Sequence, residues 1–295
     1  MKRNRVKIRC TGFTLVELLT TLAVIGILLG LLIPALNQVS KTATRIKQKA
    51  QFHALGTALE SFRNDYGDYP PSAYNNTGTP TTYATASHHL AEAVVGRDGF
   101  GFHQSSSFRA DGTDGTNPLY APVVDLAANP NNLKLRKGPY LEIENANAIK
   151  LSNLYTNYNP LLDTYVLADM YKNVKHKTTS KSVGMPILYY KANKLEIGHD
   201  PNPVEWANNT YNIDHNFMIL SLIVPFGGSH PLSNSANAYI FYNAIKNPNF
   251  PGDPAYPASG QPPRPYRAES FILHSAGPDG LYGTTDDIFN FETEK

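Results

Sequence analysis

Cysteine is nearly missing from this chain: Cys10 is the only one, and it lies within the first dozen residues. Beyond it no disulfide can form, and no thiol is available as a nucleophile or metal ligand. Charge is sparse as well. Charged residues make up 17% and the formal charge is only +2, so the clustered basic face that grips nucleic acid is lacking and no nucleic-acid partner is expected. The nine histidines show neither zinc spacing nor an H-E-x-x-H pattern. His88 and His89 are adjacent and point to different faces of a helix. A G-x-S-x-G elbow, a P-loop and a dinucleotide fingerprint are also missing. No catalytic residue is assigned, and the chain reads as something other than an enzyme.

Long apolar runs are absent too, with one exception. Leu18 to Leu36 carries no charge, and Thr20 and Thr21 are its only polar side chains. About 20 apolar residues cross a bilayer as a helix. Five basic residues, Lys2, Arg3, Arg5, Lys7 and Arg9, precede the run, and Glu17 stands at its head. A lone carboxylate at the edge of hydrocarbon is costly and so marks function. A secretory signal is cut after its apolar region at a small-residue site. Here the run passes into Ile33-Pro34-Ala35-Leu36 with no such site, and the small residue, Gly12, comes before it.

Gly12-Phe13-Thr14-Leu15-Val16-Glu17 followed by this run resembles the class III signal of type IV pilins and type II secretion pseudopilins. The resemblance implies cleavage by prepilin peptidase between Gly12 and Phe13 and methylation of the new amino terminus. Phe13 becomes the first residue, Glu17 the acid at position five, and Pro34 the proline at position twenty-two. Removing residues 1–12 takes away five basic groups and no acid, turning a positive formal charge into a negative one. Lys41, Arg45, Lys47 and Lys49 flank the far side almost as densely as the leader flanks the near side. The positive-inside rule is then nearly balanced, and orientation rests on the resemblance.

Helical spacing continues beyond the bilayer. Leu36, Val39, Ala43, Ile46 and Ala50 recur at intervals of three and four, and Leu55, Ala58, Leu59 and Phe62 extend the face. Gly26, Gly30 and Pro34 interrupt the pattern, and Asn64-Asp65-Tyr66-Gly67 with Pro70-Pro71 stops it. Residues 13–64 would form one rod of roughly 75–80 Å at 1.5 Å per residue. The aromatic-rich stop ending in Tyr69-Pro70 also resembles pseudopilins, especially the major type II subunit.

Further on, Ser87–Val95 reads as a short amphipathic helix, and Asp111–Thr116 as a polar loop. Strands are expected at Pro186–Lys191, Phe217–Val224, Ala238–Ile245, Phe271–His274 and Ile288–Phe291. For Phe217–Val224 a buried helix turn is the alternative. The proline-rich stretch Asn247–Arg267 reads as a surface loop.

Near the C-terminus, Asp279, Asp286 and Asp287 lie in a loop with three glycines. Calcium takes six to eight oxygen ligands, and glycines let carbonyls turn inward. The spacing does not match an EF-hand. It resembles the calcium loop of the major type II pseudopilin, which implies a Ca2+ site with Asp279, Asp286 and Asp287 as ligands, joined by Ser275 and the Leu273 carbonyl. The alternative is a solvated Asp-Gly turn.

The expected fold is α+β: a long N-terminal transmembrane-plus-stalk helix packed on a small antiparallel sheet, with a large loop-rich insertion. The expected organisation is a cleaved leader at 1–12, a transmembrane and assembly helix at 13–36, its continuation at 37–65, and an extracytoplasmic domain at 66–295 with an insertion at about 73–270. The resemblance implies a single-pass inner-membrane protein with a periplasmic domain, a subunit of the pseudopilus after assembly. Its implied partners are prepilin peptidase, copies of itself and other pseudopilins, and the inner-membrane secretion platform. A minor pseudopilin or a type IV pilin is the alternative within the class. A membrane-anchored binding or enzymatic domain is the alternative outside it.

Overall fold

In a computed structural model, the described residues are 12, 14–73, 84–155, 158, 163–176, 178–196, 198–199, 209–224, 227–253 and 259–292. The chain divides into two compact units, Met1–Ile46 and Lys47–Lys295. Helix α1, Leu15–Tyr66, contributes residues to both.

In the first unit α1 runs through Gly26, Gly30 and Pro34 without a break, so the expected interruptions do not end it. Proline removes one backbone hydrogen bond, but the surrounding leucines, isoleucines and alanines keep the turn count. Every residue from Leu15 to Ala43 is exposed. The helix is long and apolar enough to cross a membrane by length and composition.

In the second unit α1 buries Gln48, Gln51, Phe52, Leu55, Ala58, Leu59 and Phe62. The three- and four-residue spacing puts these on one face. The helix ends two residues later than expected, at Tyr66. Gly67 stops it at φ 86, donating its N–H to the Arg63 carbonyl at 2.7 Å; only glycine adopts this left-handed cap without cost.

The remaining elements follow in order: α2 (Ala86–Val94), β1 (Phe102–His103), α3 (Pro130–Lys134), β2 (Arg136–Lys137), β3 (Ala148–Lys150), β4 (Tyr165–Leu167), β5 (Val174–Lys175), β6 (Ser182–Val183), β7 (Leu188–Lys191), α4 (Phe217–Leu220), α5 (Ala238–Ile245), β8 (Phe271–Ser275) and β9 (Ile288–Phe289). Strands β7, β8 and β9 form an antiparallel three-stranded sheet, with Tyr189 opposite Leu273 and His274 opposite Phe289. The other strands pair in twos, β1 with β2, β3 with β4 and β5 with β6.

Side chains alternate across a strand, and here both faces are covered. Tyr189, Phe271 and Leu273 join Phe52, Leu55 and Leu59 of α1 and Leu90 and Val94 of α2 in one apolar cluster. Leu188, Tyr190 and Ile272 join Leu220 of α4 and Phe241 and Ile245 of α5 in the other. The sheet is thus the middle layer, and the mixed α+β architecture is the one expected from the sequence.

Two strand expectations are corrected. Ala238–Ile245 is a helix, because Ala238, Phe241, Tyr242 and Ile245 fall on one buried face at a helical spacing. Phe217–Leu220 is a single helical turn following a 3-10 turn at Ile213–Asn216, the alternative already open for that run. Helix α2 is buried all round rather than amphipathic. Its His89 donates from Nδ1 to the Pro71 carbonyl, 2.8 Å away, and Ser87 donates to Asn216 Oδ1 at 2.8 Å. The part of the insertion between α2 and β2 is stapled by two arginines: the buried Arg136 pairs with Asp98, and the half-buried Arg97 donates to the carbonyls of Arg109 and Ala110.

Candidate functional site

Gly12 is exposed, and Phe13 lies outside the described residues. Thr14 is the N-cap of α1. The Glu17 N–H donates to Thr14 Oγ1 at 3.2 Å, and Glu17 Oε2 accepts from the Thr14 N–H at 3.0 Å and from Thr14 Oγ1 at 2.7 Å. This is a reciprocal capping box, which satisfies orphan donors at a helix start. Thr14 was not picked out from the sequence, although T-x-x-E before an apolar run is the local signal for it. Pro34 lies within α1, exposed like its neighbours. These residues share one exposed helix: Glu17 at its head and Pro34 farther along.

The C-terminal loop is built differently. Gly277, Gly280 and Gly283 all take positive φ, and a Cβ on Gly277 would run into the Asp286 backbone. The glycines therefore set the path of the loop. Asp286 Oδ2 accepts the Asp279 N–H at 2.9 Å, and Asp286 Oδ1 accepts from Thr284 Oγ1. Asp279 Oδ1 accepts the Leu281 N–H at 2.8 Å. Partial burial, reinforced by the neighbouring Asp286 charge, raises the Asp279 carboxyl above its usual range.

Asp287 turns inward. Its Oδ2 meets His274 Nε2 at 2.8 Å and accepts the Gly283 N–H at 2.8 Å, while Oδ1 is buried without a hydrogen-bond partner among the described residues. Ser275 Oγ donates to Asp169 Oδ2 at 2.7 Å. Burial pushes Asp169 up to about 7. The Leu273 carbonyl accepts the Asn290 N–H at 3.2 Å within the sheet.

The structure thus brings Asp279 and Asp286 together and gives Asp287, Ser275 and Leu273 other partners. Among the described residues no group of three His, Cys, Asp or Glu side chains is arranged to hold a metal ion. The paired carboxylates of Asp279 and Asp286 fit a hard cation, and the unpartnered Asp287 oxygen has the right chemistry. Ser275 and Leu273 do not fit, because their oxygens serve the core.

A family model, the prokaryotic N-terminal methylation motif, matches residues 7–33. The chain carries the class III signal of type IV pilins and pseudopilins. The matched span covers Gly12, Phe13 and Glu17 and ends just before Pro34. No curated protein and no solved structure matches the chain. The match covers the N-terminal segment alone; the motif implies processing by prepilin peptidase, and the helix that it opens is long and apolar enough to cross a membrane.

Proposed function

We propose that this chain is a structural subunit of a type II secretion pseudopilus that polymerises through its N-terminal helix. The observation that carries the reading is the wholly exposed apolar stretch of α1 with Glu17 at its head. Such a surface needs lipid or other helices around it. Glu17 is held by Thr14 within one chain, and cleavage after Gly12 creates a cationic amino group at Phe13. Between neighbouring subunits that amine and the Glu17 carboxylate attract strongly at low dielectric, and either alone is expensive. The domain following the helix is periplasmic in this reading, and the basic leader cytoplasmic.

The test uses the native host. Intact-mass analysis should find a mature chain starting at a methylated Phe13. Glu17→Ala should be inserted and cleaved but assemble poorly. A mature terminus at Met1 or beyond Ala35, or mutant filaments at normal yield, overturns the reading. The large region between α2 and β7, with the extra layer of α4 and α5, favours a second reading as a minor subunit. Filaments from this chain alone support the major role; filaments only with a second pseudopilin support the minor one.

Calcium belongs to the same proposal. The like charges of Asp279 and Asp286 repel until a cation neutralises them. A ligand bound only by the fold stabilises it by about 2.7 kcal/mol at a hundredfold excess over its dissociation constant. The mature chain should melt higher in millimolar calcium than in chelator. Asp279→Ala or Asp286→Ala should remove that difference, and Asp114→Ala in the other Asp-Gly loop should leave it. Equal melting of the wild type in both conditions overturns the calcium site.

A further inference from the structure

Helix α1 has a glycine, Gly56, in the middle of its packed half. A glycine inside a helix destabilises it relative to alanine. Close packing does not demand it here, since no atom of the described residues lies within 4 Å of the place a Cβ would occupy, and its φ is helical. The missing side chain instead leaves room in a cleft of 380 Å³ between α1 and the ends of β8 and β9. That volume is within the range of small-ligand pockets. Four phenylalanines line the cleft: Phe52, Phe271, Phe289 and Phe291.

Arg267 stands on the rim with unusual care taken over its position. Its backbone sits at φ 54, a region that residues other than glycine seldom adopt. The Arg267 carbonyl accepts from Tyr211 Oη at 2.5 Å, and its Nε donates to the Phe271 carbonyl at 3.0 Å. The guanidinium carbon lies 5.1 Å from the centroid of the Phe271 ring, a cation–π placement. The guanidinium is thereby fixed, yet its two terminal nitrogens have no hydrogen-bond partner among the described residues.

The acids lining the cleft are already engaged. Glu292 pairs with Lys49 at 2.6 Å, and Glu60 accepts from Tyr69 Oη at 2.5 Å and lies 3.6 Å from Arg63. The uncommitted charge at the cleft is therefore positive and belongs to Arg267. We propose that this cleft binds a small carboxylate carried on an aromatic ring. The ring fills the space beside Gly56 against the phenylalanines, and the carboxylate takes the fork of terminal nitrogens on Arg267, the geometry guanidinium offers to carboxylates. The same chemistry is present in a free aromatic acid and in the carboxyl-terminal aromatic residue of a peptide. The proposal does not depend on filament assembly.

The experiment is calorimetric titration of the full chain in lipid nanodiscs with N-acetyl-L-phenylalanine. Its neutral amide and a short peptide ending in a free phenylalanine carboxylate are the comparison arms. The acid should bind at least tenfold more tightly than the amide. Arg267→Gln should weaken acid binding at least tenfold. Gly56→Leu should abolish it without lowering the melting temperature, since its side chain enters open space and helix propensity improves. Equal binding of the peptide identifies chain ends as the source, and binding of the free acid alone identifies a small molecule; both uphold the site. No binding of the acid at millimolar concentration, equal binding of acid and amide, or wild-type affinity in Gly56→Leu overturns it.

Discussion

Between Leu15 and Ala43, helix α1 exposes every side chain, with Leu28 at 60% exposure; between Gln48 and Phe62 the same helix buries Leu55 and Leu59 completely. The two stretches share a backbone conformation and a taste for leucine and alanine. They differ in how the apolar residues are spaced. From Leu18 to Leu36 apolar side chains surround the helix, so no face is reserved for the chain's own domain. From Gln48 onward polar and apolar residues segregate, and the apolar stripe meets the sheet. A helix that is apolar all round needs an apolar surrounding; one with a stripe needs a single partner surface. The first stretch therefore contributes to where the molecule resides, the second to how its domain holds together.

Acid should separate the two stretches most sharply. The span Leu18–Leu36 has nothing to titrate. The domain buries His89, His215 and His230, whose imidazoles burial depresses to about 4, and His199, depressed to about 3. Each stays neutral in the fold and takes a proton near pH 6.5 when unfolded. The unfolded chain then binds more protons between pH 6.5 and 4, and stability falls as the pH drops through that window. Asp169, raised to about 7 by burial, acts in the opposite sense, its contribution lost as pH rises toward 7; Glu92 is raised for the same reason. Four imidazoles against these carboxyls leave a net loss in acid. Circular dichroism of the full chain should show the domain melting at a lower temperature at pH 4.5 than at pH 7, while the bilayer helix keeps its signal. A domain more stable at pH 4.5 contradicts this.

Truncating the stripe comes next. Leu55→Ala or Leu59→Ala should each cost about 2–5 kcal/mol of domain stability by removing buried methyls and leaving a cavity. Leu28→Ala should leave the domain's melting temperature where it was. A loss from Leu28→Ala comparable to that from Leu59→Ala would erase the distinction between the stretches. Gln48→Ala should fall between, at about 1–3 kcal/mol, because the half-buried Met170 N–H that donates to Gln48 Oε1 at 2.7 Å would lose its acceptor. The smallest effect is expected at Lys49→Ala. Its pair with Glu292 has side-chain exposures of 46% and 84%, so about 0–1 kcal/mol is at stake. Chemical denaturation of the five variants measures the series.

The helix and its start were legible because their signals are local: a charge-free run, an acid at its head, a stop at Gly67. Strands β7, β8 and β9 were legible as short apolar runs between turn residues. Helix α5 was misread because Tyr239, Ile240, Phe241 and Tyr242 favour strands by composition, although the spacing of Ala238, Phe241, Tyr242 and Ile245 carried the correct answer. At the C-terminal loop the sequence located the acids but not their partners. His274, which takes Asp287, is thirteen positions away, and Asp169, which takes Ser275, is 106 positions away. Such distant pairings leave no local trace. The same is true of the cleft at Gly56, whose walls come from opposite ends of the domain's sequence.

The contact between Lys49 and Glu292 has a practical side. It fastens the last described residue to the flank of α1 just where the packed stretch begins. A fluorophore attached through a cysteine put in place of the exposed Glu292 would sit on that flank, where the ion pair was. Such a label doubles as a steric gauge: a small dye there reports whether another molecule lies along that side of the helix, and a bulky tag would itself block the approach.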